Sequence, residues 1–366
     1  MKLLAINGAG VGNSDGLRAR RLLDGFVGEA TVVDLDRSSR KASMLHMTSL
    51  LAPTWDLIYL ESTGIGAGLP LIHAAQRGAR YIVSAGDPVA GFFHVTRGPL
   101  HGFLFGIYER ILYRRSVGFV GWTPYLTGRA IGLGAPCGVT VEGAVDTGRF
   151  HLLSAGERAD SRARFGIAPN QLVFGTVGSL AWSERQCYAY GLELIESLSR
   201  TTREDLTVMI VGDGDGRTRL ESRVPPNKRH QVLFTGRLSE TDVVQAMNAM
   251  DVGFVSQTLD ALGMYRLTTK LPEYLACGLP VAMSPIPGFF DYVGSSAGWP
   301  LPAHHPGREA FWNDCGRWMQ TLTKQEITAR AVNTRRIAET RFEYQVLRPR
   351  FHSFLAEVGT GDRKRG

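Results

Sequence analysis

The sequence predicts an α/β chain of two doubly wound domains followed by a helical C-terminal stretch. Three observations carry that prediction. Short apolar runs alternate with helical patterns from the start; the polar stretch DTGRFHLLSAGERADSRARFGIAPNQ interrupts them; the same alternation then begins again. With 366 residues, 44% hydrophobic and 20% charged, the chain is long and apolar enough to bury two such cores.

In order, KLLAIN reads as a first strand, GLRARRLLDGF as a helix, and ATVVDL and DLIYLEST as strands. LPLIHAAQRG is helical, RYIVSAG a strand, GIYERILYRR a helix, and VGFVGWT and GVTVEGAV close the first sheet. VSAGDPVAGFFH runs off its strand into a loop. This places a first domain at 1–150 and a linker at 151–170, where little could form a strand. The second domain, 171–335, contains LVFGTVGSL, LTVMIVGDG, RHQVLFTGRL, DVGFVSQ and LPVAMSP as strands. ERQCYAYGLELIESL, DVVQAMNAM and KLPEYLACG are its helices. Beyond Ala310 the pattern turns helical, ending in a helix and basic tail over 336–366 that is long enough to pack across either domain. Ligands of open α/β sheets bind at the carboxyl ends of the strands, so the expected site is a cleft faced by both sheets.

Composition removes several function classes. No stretch approaches the roughly 20 apolar residues of a membrane span, and MKLLAING runs into a glycine turn where a secretory segment would continue. The expected location is cytoplasmic. Cys137, Cys187, Cys277 and Cys315 are too dispersed for a disulfide framework or a C-x-x-C knuckle and read as small core residues. The formal charge of +7 suits phosphate-bearing ligands or anionic head groups. Its basic residues are scattered without interleaved aromatics, so no nucleic-acid partner is expected. VGDGDG lacks the further oxygen ligands of a calcium loop, and His304 and His305 have no matching carboxylate or cysteine pattern, so no metal is expected.

TTKLPEYLACGLPVAMSP concentrates the polar chemistry. Pro272 suits the first turn of a helix from about Pro272 to Cys277, and Gly278 is its stop signal. The helix start faces Thr268, Thr269 and Lys270, where a phosphate would be held. Glu273, an acceptor-only group, suits a vicinal diol such as ribose. The bland alternative is a Lys270/Glu273 surface pair contributing about 0.5 kcal/mol or less.

These segments, with VFGTVGSL, VGDGDG and VLFTGRLSETDVVQAMNAMDVGFVSQ, resemble the retaining GT-B glycosyltransferases related to glycosyltransferase family 4. The resemblance covers most of the chain. It implies two Rossmann-like domains, a ribose contact at Glu273, and diphosphate contacts at Lys270, Thr268 and Thr269. In GSLAWSER, Ser179 stands where the family has arginine, and Arg185 lies one place beyond its phosphate-gripping lysine. Guanidinium is a good fork for phosphate oxygens, and at the start of a helix ERQCYAYG it would oppose the dipole unless an anion were present. The family's first glutamate falls at Tyr265, with Asp260 upstream but out of register, so the donor sugar's contacts depart from the family pattern there. Gly212, in the turn after its strand, is placed close to the nucleotide.

INGAGVGNSDG lines the first domain's edge with backbone N–H groups, making Gly10, Gly12 and Asn13 the acceptor-side loop. Gly8, Gly10 and Gly12 with Asp34 also resemble a dinucleotide fingerprint, whose third glycine would fall at Asn13. Asp87 and His94 match the family region near the acceptor; their plainer roles are a turn before Pro88 and a core histidine. VEGAVDTGRF resembles the family's strand-to-linker segment, with Glu142 and Ala144 as departures. GFFHVTRGPLHGFLFGIYERILYRR mixes aromatics with arginines as an interfacial segment does, which would place the chain at the inner membrane surface.

The expected function is transfer of a hexosyl group from a UDP- or GDP-linked sugar to the hydroxyl of a sugar, glycolipid or small molecule. The resemblance implies retention; with Lys270, Arg185 and the helix start meeting the charge of the leaving diphosphate no metal is required, and no cofactor is expected, the nucleotide sugar being a substrate. An NAD(P)-dependent oxidoreductase using the N-terminal glycines and a non-catalytic nucleotide-sugar-binding protein stay open as alternatives.

Overall fold

The computed structural model describes residues 1–360, the Arg40 side chain excepted; the basic tail expected after them lies outside the described residues. The chain divides into two units. The first comprises Met1–Ala144, Tyr265–Leu267 and the chain from Phe342 on; the second comprises Val145–Met264 and Thr268–Arg341.

The first unit runs β1 (Lys2–Asn7), α1 (Ser14–Leu23), β2 (Glu29–Asp34), α2 (Arg40–Leu50), β3 (Leu57–Glu61), α3 (Ile65–Ala75), β4 (Tyr81–Ala85), α4 (Val89–Arg97), α5 (Pro99–Arg115), β5 (Gly118–Gly121), α6 (Pro124–Gly132) and β6 (Gly138–Thr140). Its strands form one parallel sheet in the order β2-β1-β3-β4-β5-β6, so the chain reverses direction between β1 and β3. β3 and β4 are buried throughout, which is why they read as apolar runs broken only by Glu61 and Ser84. Met47, Leu71, Leu112 and Leu126 cover one face of the sheet.

The second unit runs α7 (Ala155–Arg164), β7 (Leu172–Val177), α8 (Leu192–Leu198), β8 (Leu206–Val211), α9 (Arg217–Arg223), β9 (Val232–Gly236), α10 (Glu240–Ala249), β10 (Val252–Val255), α11 (Lys270–Ala276), β11 (Val281–Met283), α12 (Gly294–Ala297), β12 (Gly298–Pro300), α13 (Glu309–Thr321) and α14 (Lys324–Ile337). This sheet is also parallel, in the order β12-β11-β10-β7-β8-β9, with its reversal between β7 and β10. The last helix, α15 (Tyr344–Thr360), belongs to the first unit, where Leu347, Phe351 and Leu355 pack with Leu22 of α1 on the second face of the sheet.

Four local expectations need correction. The helix expected from Glu184 begins only at Leu192, because Gly191 is left-handed (φ 99°), Cys187 also has positive φ (50°), and Ser183 pairs with Tyr188 in a tight antiparallel turn. VAGFFH is helical rather than a loop: Glu109 of α5 accepts hydrogen bonds from the N–H groups of Val89 and Ala90 (both 3.2 Å), capping α4 from a distance in sequence. α11 starts at Lys270, two residues early. Pro272 is its third residue and still falls among the four N–H positions that have no intrahelical partner. Cys187 is exposed, not a core residue.

Candidate active site

The carboxyl edge of the second sheet gathers the loops after β7, β8 and β10 around the point where strand order reverses. Tyr274 anchors α11 there: its hydroxyl accepts the Val177 N–H at 2.8 Å, and its ring lies where a Cβ on Gly253 of β10 would stand, 2.7 Å away. The far end of α11 is held by Arg335, which donates to the carbonyl of Ala276 (2.8 Å), as a cation suits a helix C-terminus. The C-terminal half of the helix is therefore fixed by contacts that need no ligand.

At its start, Lys270 Nζ lies 3.3 Å from Glu273 Oε2, with the side chains 30% and 17% exposed. The ion pair of the bland reading is thus formed. Burial raises the Glu273 carboxyl above the ordinary carboxylate range, opposed by Lys270 and Arg149. The Thr268 hydroxyl oxygen is buried and has no hydrogen-bond partner, which is costly for a polar atom unless a ligand completes it. Thr269 occupies the N-cap position in helical conformation without a side-chain cap bond. With only seven residues in α11, the side chains rather than the helix dipole carry any anion affinity.

Ser179 is exposed just beyond β7, and Arg185 is exposed within the Ser183–Tyr188 turn rather than at a helix start. The dipole conflict invoked for Arg185 therefore does not arise. Gly212 has φ 132° and a Cβ there would fall 1.8 Å from the Gly178 carbonyl, so glycine is needed for the contact between the β7 and β8 turns. Asp260 Oδ1 accepts the N–H groups of Leu262 (2.9 Å) and Gly263 (3.0 Å) and so is occupied in a turn.

Beneath this edge lies a group that sequence reasoning missed. Glu193 is fully buried, accepts the Gly191 N–H (3.0 Å) and pairs closely with the Ser256 hydroxyl, which is also 3.0 Å from the Tyr188 hydroxyl. Burial raises the Glu193 carboxyl, with the Ser256 bond opposing it. The group holds the Arg185 turn against β10. A glutamate inside the apolar run LELIESL was its only sequence signal.

The corresponding edge of the first sheet is made of paired charges. Asn7 donates to the carbonyl of Gly10 (2.6 Å) and to Asp34 (2.7 Å), shaping a loop in which Gly10 (φ 88°) and Gly12 (φ 75°) take left-handed conformations. Asn13 caps α1 by accepting the Asp15 N–H at 2.8 Å. Asp34, the acid of the dinucleotide comparison, is held by Arg20 at 2.5 Å, and Arg20 lowers its pKa. At the end of β3, Glu61 is buried against Arg18 (2.8 Å) and accepts from Ser84 (2.8 Å) and Trp122 (3.3 Å).

Asp87 is gripped by Arg266, with Nε–Oδ1 at 2.6 Å and Nη2–Oδ2 at 3.3 Å. Tyr265 precedes Arg266 in the same unit; its carbonyl accepts the Thr123 hydroxyl (2.8 Å) and Arg129 lies over its ring at 5.5 Å. His94 is exposed in the middle of α4 and packs over Gly102, away from the loop position expected for it. Asp15, in the first turn of α1, was not foreseen. Its pKa is pushed up to about 6, by burial first and by Glu61 next. Among the described residues no three His, Cys, Asp or Glu side chains gather as a metal site would require, and no helix is long and apolar enough to cross a membrane.

Comparison with known proteins bears on this arrangement. Residues 171–317 match the family model "Glycosyl transferases group 1". No curated protein matches the chain. Among solved structures, Anabaena HepE in complex with UDP-glucose superposes with a TM-score of 0.74 at 16% identity, over 98% of this chain and 100% of that one. Sucrose-phosphate synthase from Thermosynechococcus elongatus gives 0.76 at 13% identity, over 99% and 100%. The lipopolysaccharide outer core galactosyltransferase WaaB gives 0.66 at 14%, over 98% and 99%. At these identities the likeness is one of fold. Residues 171–317 carry the group 1 glycosyl transferase pattern, on a chain whose two parallel α/β sheets have the fold of GT-B glycosyltransferases.

Proposed function

We propose that the protein transfers a hexosyl group from a UDP-linked sugar to a hydroxyl acceptor, with retention of configuration. The observation that carries this reading is the start of α11, beside the strand reversal of the second sheet, where Thr268 with its unpartnered buried hydroxyl stands two residues before the Lys270–Glu273 pair. In this reading Lys270 leaves its carboxylate partner for the diphosphate, Glu273 turns to the ribose hydroxyls, and Arg185 reaches the phosphates from its turn. HepE, solved with UDP-glucose, is the reason to put UDP before other bases. The first sheet's edge, with Gly10, Gly12, Asn13 and Asp87, is assigned to the acceptor.

As the bond from the anomeric carbon to the phosphate oxygen breaks, positive charge builds on the sugar and negative charge on the departing diphosphate. Fixed cationic and hydroxyl donors aimed at that oxygen can each contribute on the order of 3 kcal/mol. The acceptor oxygen forms its new bond on the same face, and its proton passes to a phosphate oxygen of the leaving UDP. Lys270, Arg185 and the threonine hydroxyls meet the charge that develops, so no metal or cofactor enters the scheme.

A screen of UDP- and GDP-sugars against sugar, glycolipid and small hydroxyl acceptors tests the proposal. The expected result is UDP release coupled to an α- or β-linked product of unchanged anomeric configuration, with the same rate in chelator. Nucleotide binding without release under any condition would instead make the protein a non-catalytic binder.

A further inference from the structure

The α4–α5 hairpin exposes an apolar stripe that the proposed transfer does not use. Leu100, Phe103, Leu104, Ile107 and Ile111 recur at helical spacing along one face of α5 and are 67, 68, 52, 47 and 42% exposed. Phe92 of α4 is also 40% exposed, and no other element among the described residues exposes more than two large apolar side chains. The hairpin itself is rigid. Phe93 stacks on Phe105 with ring centroids 3.4 Å apart, and Glu109 ties the start of α4 to α5 while pairing with Arg129 at 2.7 Å.

Charge identifies what such a face would meet. Arg97, Arg110, Arg114 and Arg115 are exposed on the same two helices, and the only acidic side chain from Pro88 to Ser116 is Glu109, which is buried and already paired. A second copy docking through the same face would bring arginines against arginines without a compensating acid, because a two-fold contact repeats each residue across it. A leaflet containing anionic lipid offers both an apolar interior for the stripe and negative head groups for the arginines. A membrane-crossing role does not enter, since no helix among the described residues is long and apolar enough. We propose that the exposed face of the α4–α5 hairpin docks the protein on an anionic lipid leaflet, with the apolar stripe of α5 in the head-group boundary and the arginines on the lipid phosphates.

The test is sedimentation of the full chain with two vesicle types, pure phosphatidylcholine and phosphatidylcholine with about one-third phosphatidylglycerol. The protein is expected to pellet with the anionic vesicles alone and to release as salt rises, since head-group attraction fades within a Debye length. Phe103→Ser with Leu104→Ser should lower the partition at least about ten-fold, and Arg110→Gln or Arg114→Gln about five-fold each. All four positions are exposed, so circular dichroism and the melting temperature should stay those of the wild type. Absence of wild-type binding, equal binding to both vesicle types, or variants that bind like wild type would overturn the proposal. Self-association that the Phe103 and Leu104 changes abolish, with vesicles ignored, would assign the face to a second copy instead.

Discussion

The two sheets present their carboxyl edges in opposite electrostatic states. On the first, nearly every acid has a dedicated arginine: Glu61 with Arg18, Asp34 with Arg20, Asp87 with Arg266. On the second, Arg185 stands exposed, the Thr268 hydroxyl has no partner, and Lys270 meets Glu273 only at 3.3 Å across one helical turn. A self-neutralised edge is stable but offers little to an anion. An edge with a buried orphan hydroxyl and weakly engaged cations has given up stability where a phosphate would restore it.

Substitutions can break that contrast, and the largest effect is expected in the first unit. Arg18→Ala or Glu61→Ala leaves a fully buried charge alone and should cost about 3–5 kcal/mol in denaturant unfolding. Arg18→Met with Glu61→Leu should cost less than either single change, because no charge is then stranded. A double variant worse than both singles would mean that the pair is not the source of the effect.

Asp15 is the exception on the first edge, and its effect is next in size. Its pKa is raised from 3.8 to about 6, so the neutral form is favoured by folding. The associated stability is fully present below about pH 4 and is lost as the pH rises through about 6. Asp15→Asn should therefore match the wild type in acid and exceed it by on the order of 2 kcal/mol above pH 7, as read by urea midpoints across that range. A constant difference at all pH values would contradict the assignment. Smaller again, Arg185→Ala should leave the melting temperature unchanged while weakening UDP binding about ten-fold, roughly 1.4 kcal/mol, since it removes a charged hydrogen bond and no packing.

Much of this was legible in the chain because the central strands of both sheets are buried and read as largely apolar runs. The TTKLPEYLACG segment was legible for a local reason: a proline, hydroxyls, a lysine and a glutamate fall within one helical turn. What stayed hidden depends on partners far apart in sequence. α4 is capped by Glu109 from the next helix, Asp87 meets Arg266 from 179 positions away, and the Arg185 turn is braced by Tyr188, Ser256 and Glu193. His94 read as a loop or core histidine, yet one capped helix carries it to an exposed position on α4. Local propensity reads spacing, whereas these features are set by tertiary hydrogen bonds that override it.

The central claim, that the second edge is built to receive a nucleotide diphosphate, rests most directly on the Lys270 and Glu273 pair. Calorimetric titration of UDP into wild type and into the Lys270→Ala, Glu273→Ala double variant measures it. Loss of this partly exposed pair should change folding stability by about 0.5 kcal/mol or less, yet weaken UDP binding about 100-fold or more. Undiminished UDP affinity in a folded double variant would place the nucleotide elsewhere and contradict the account.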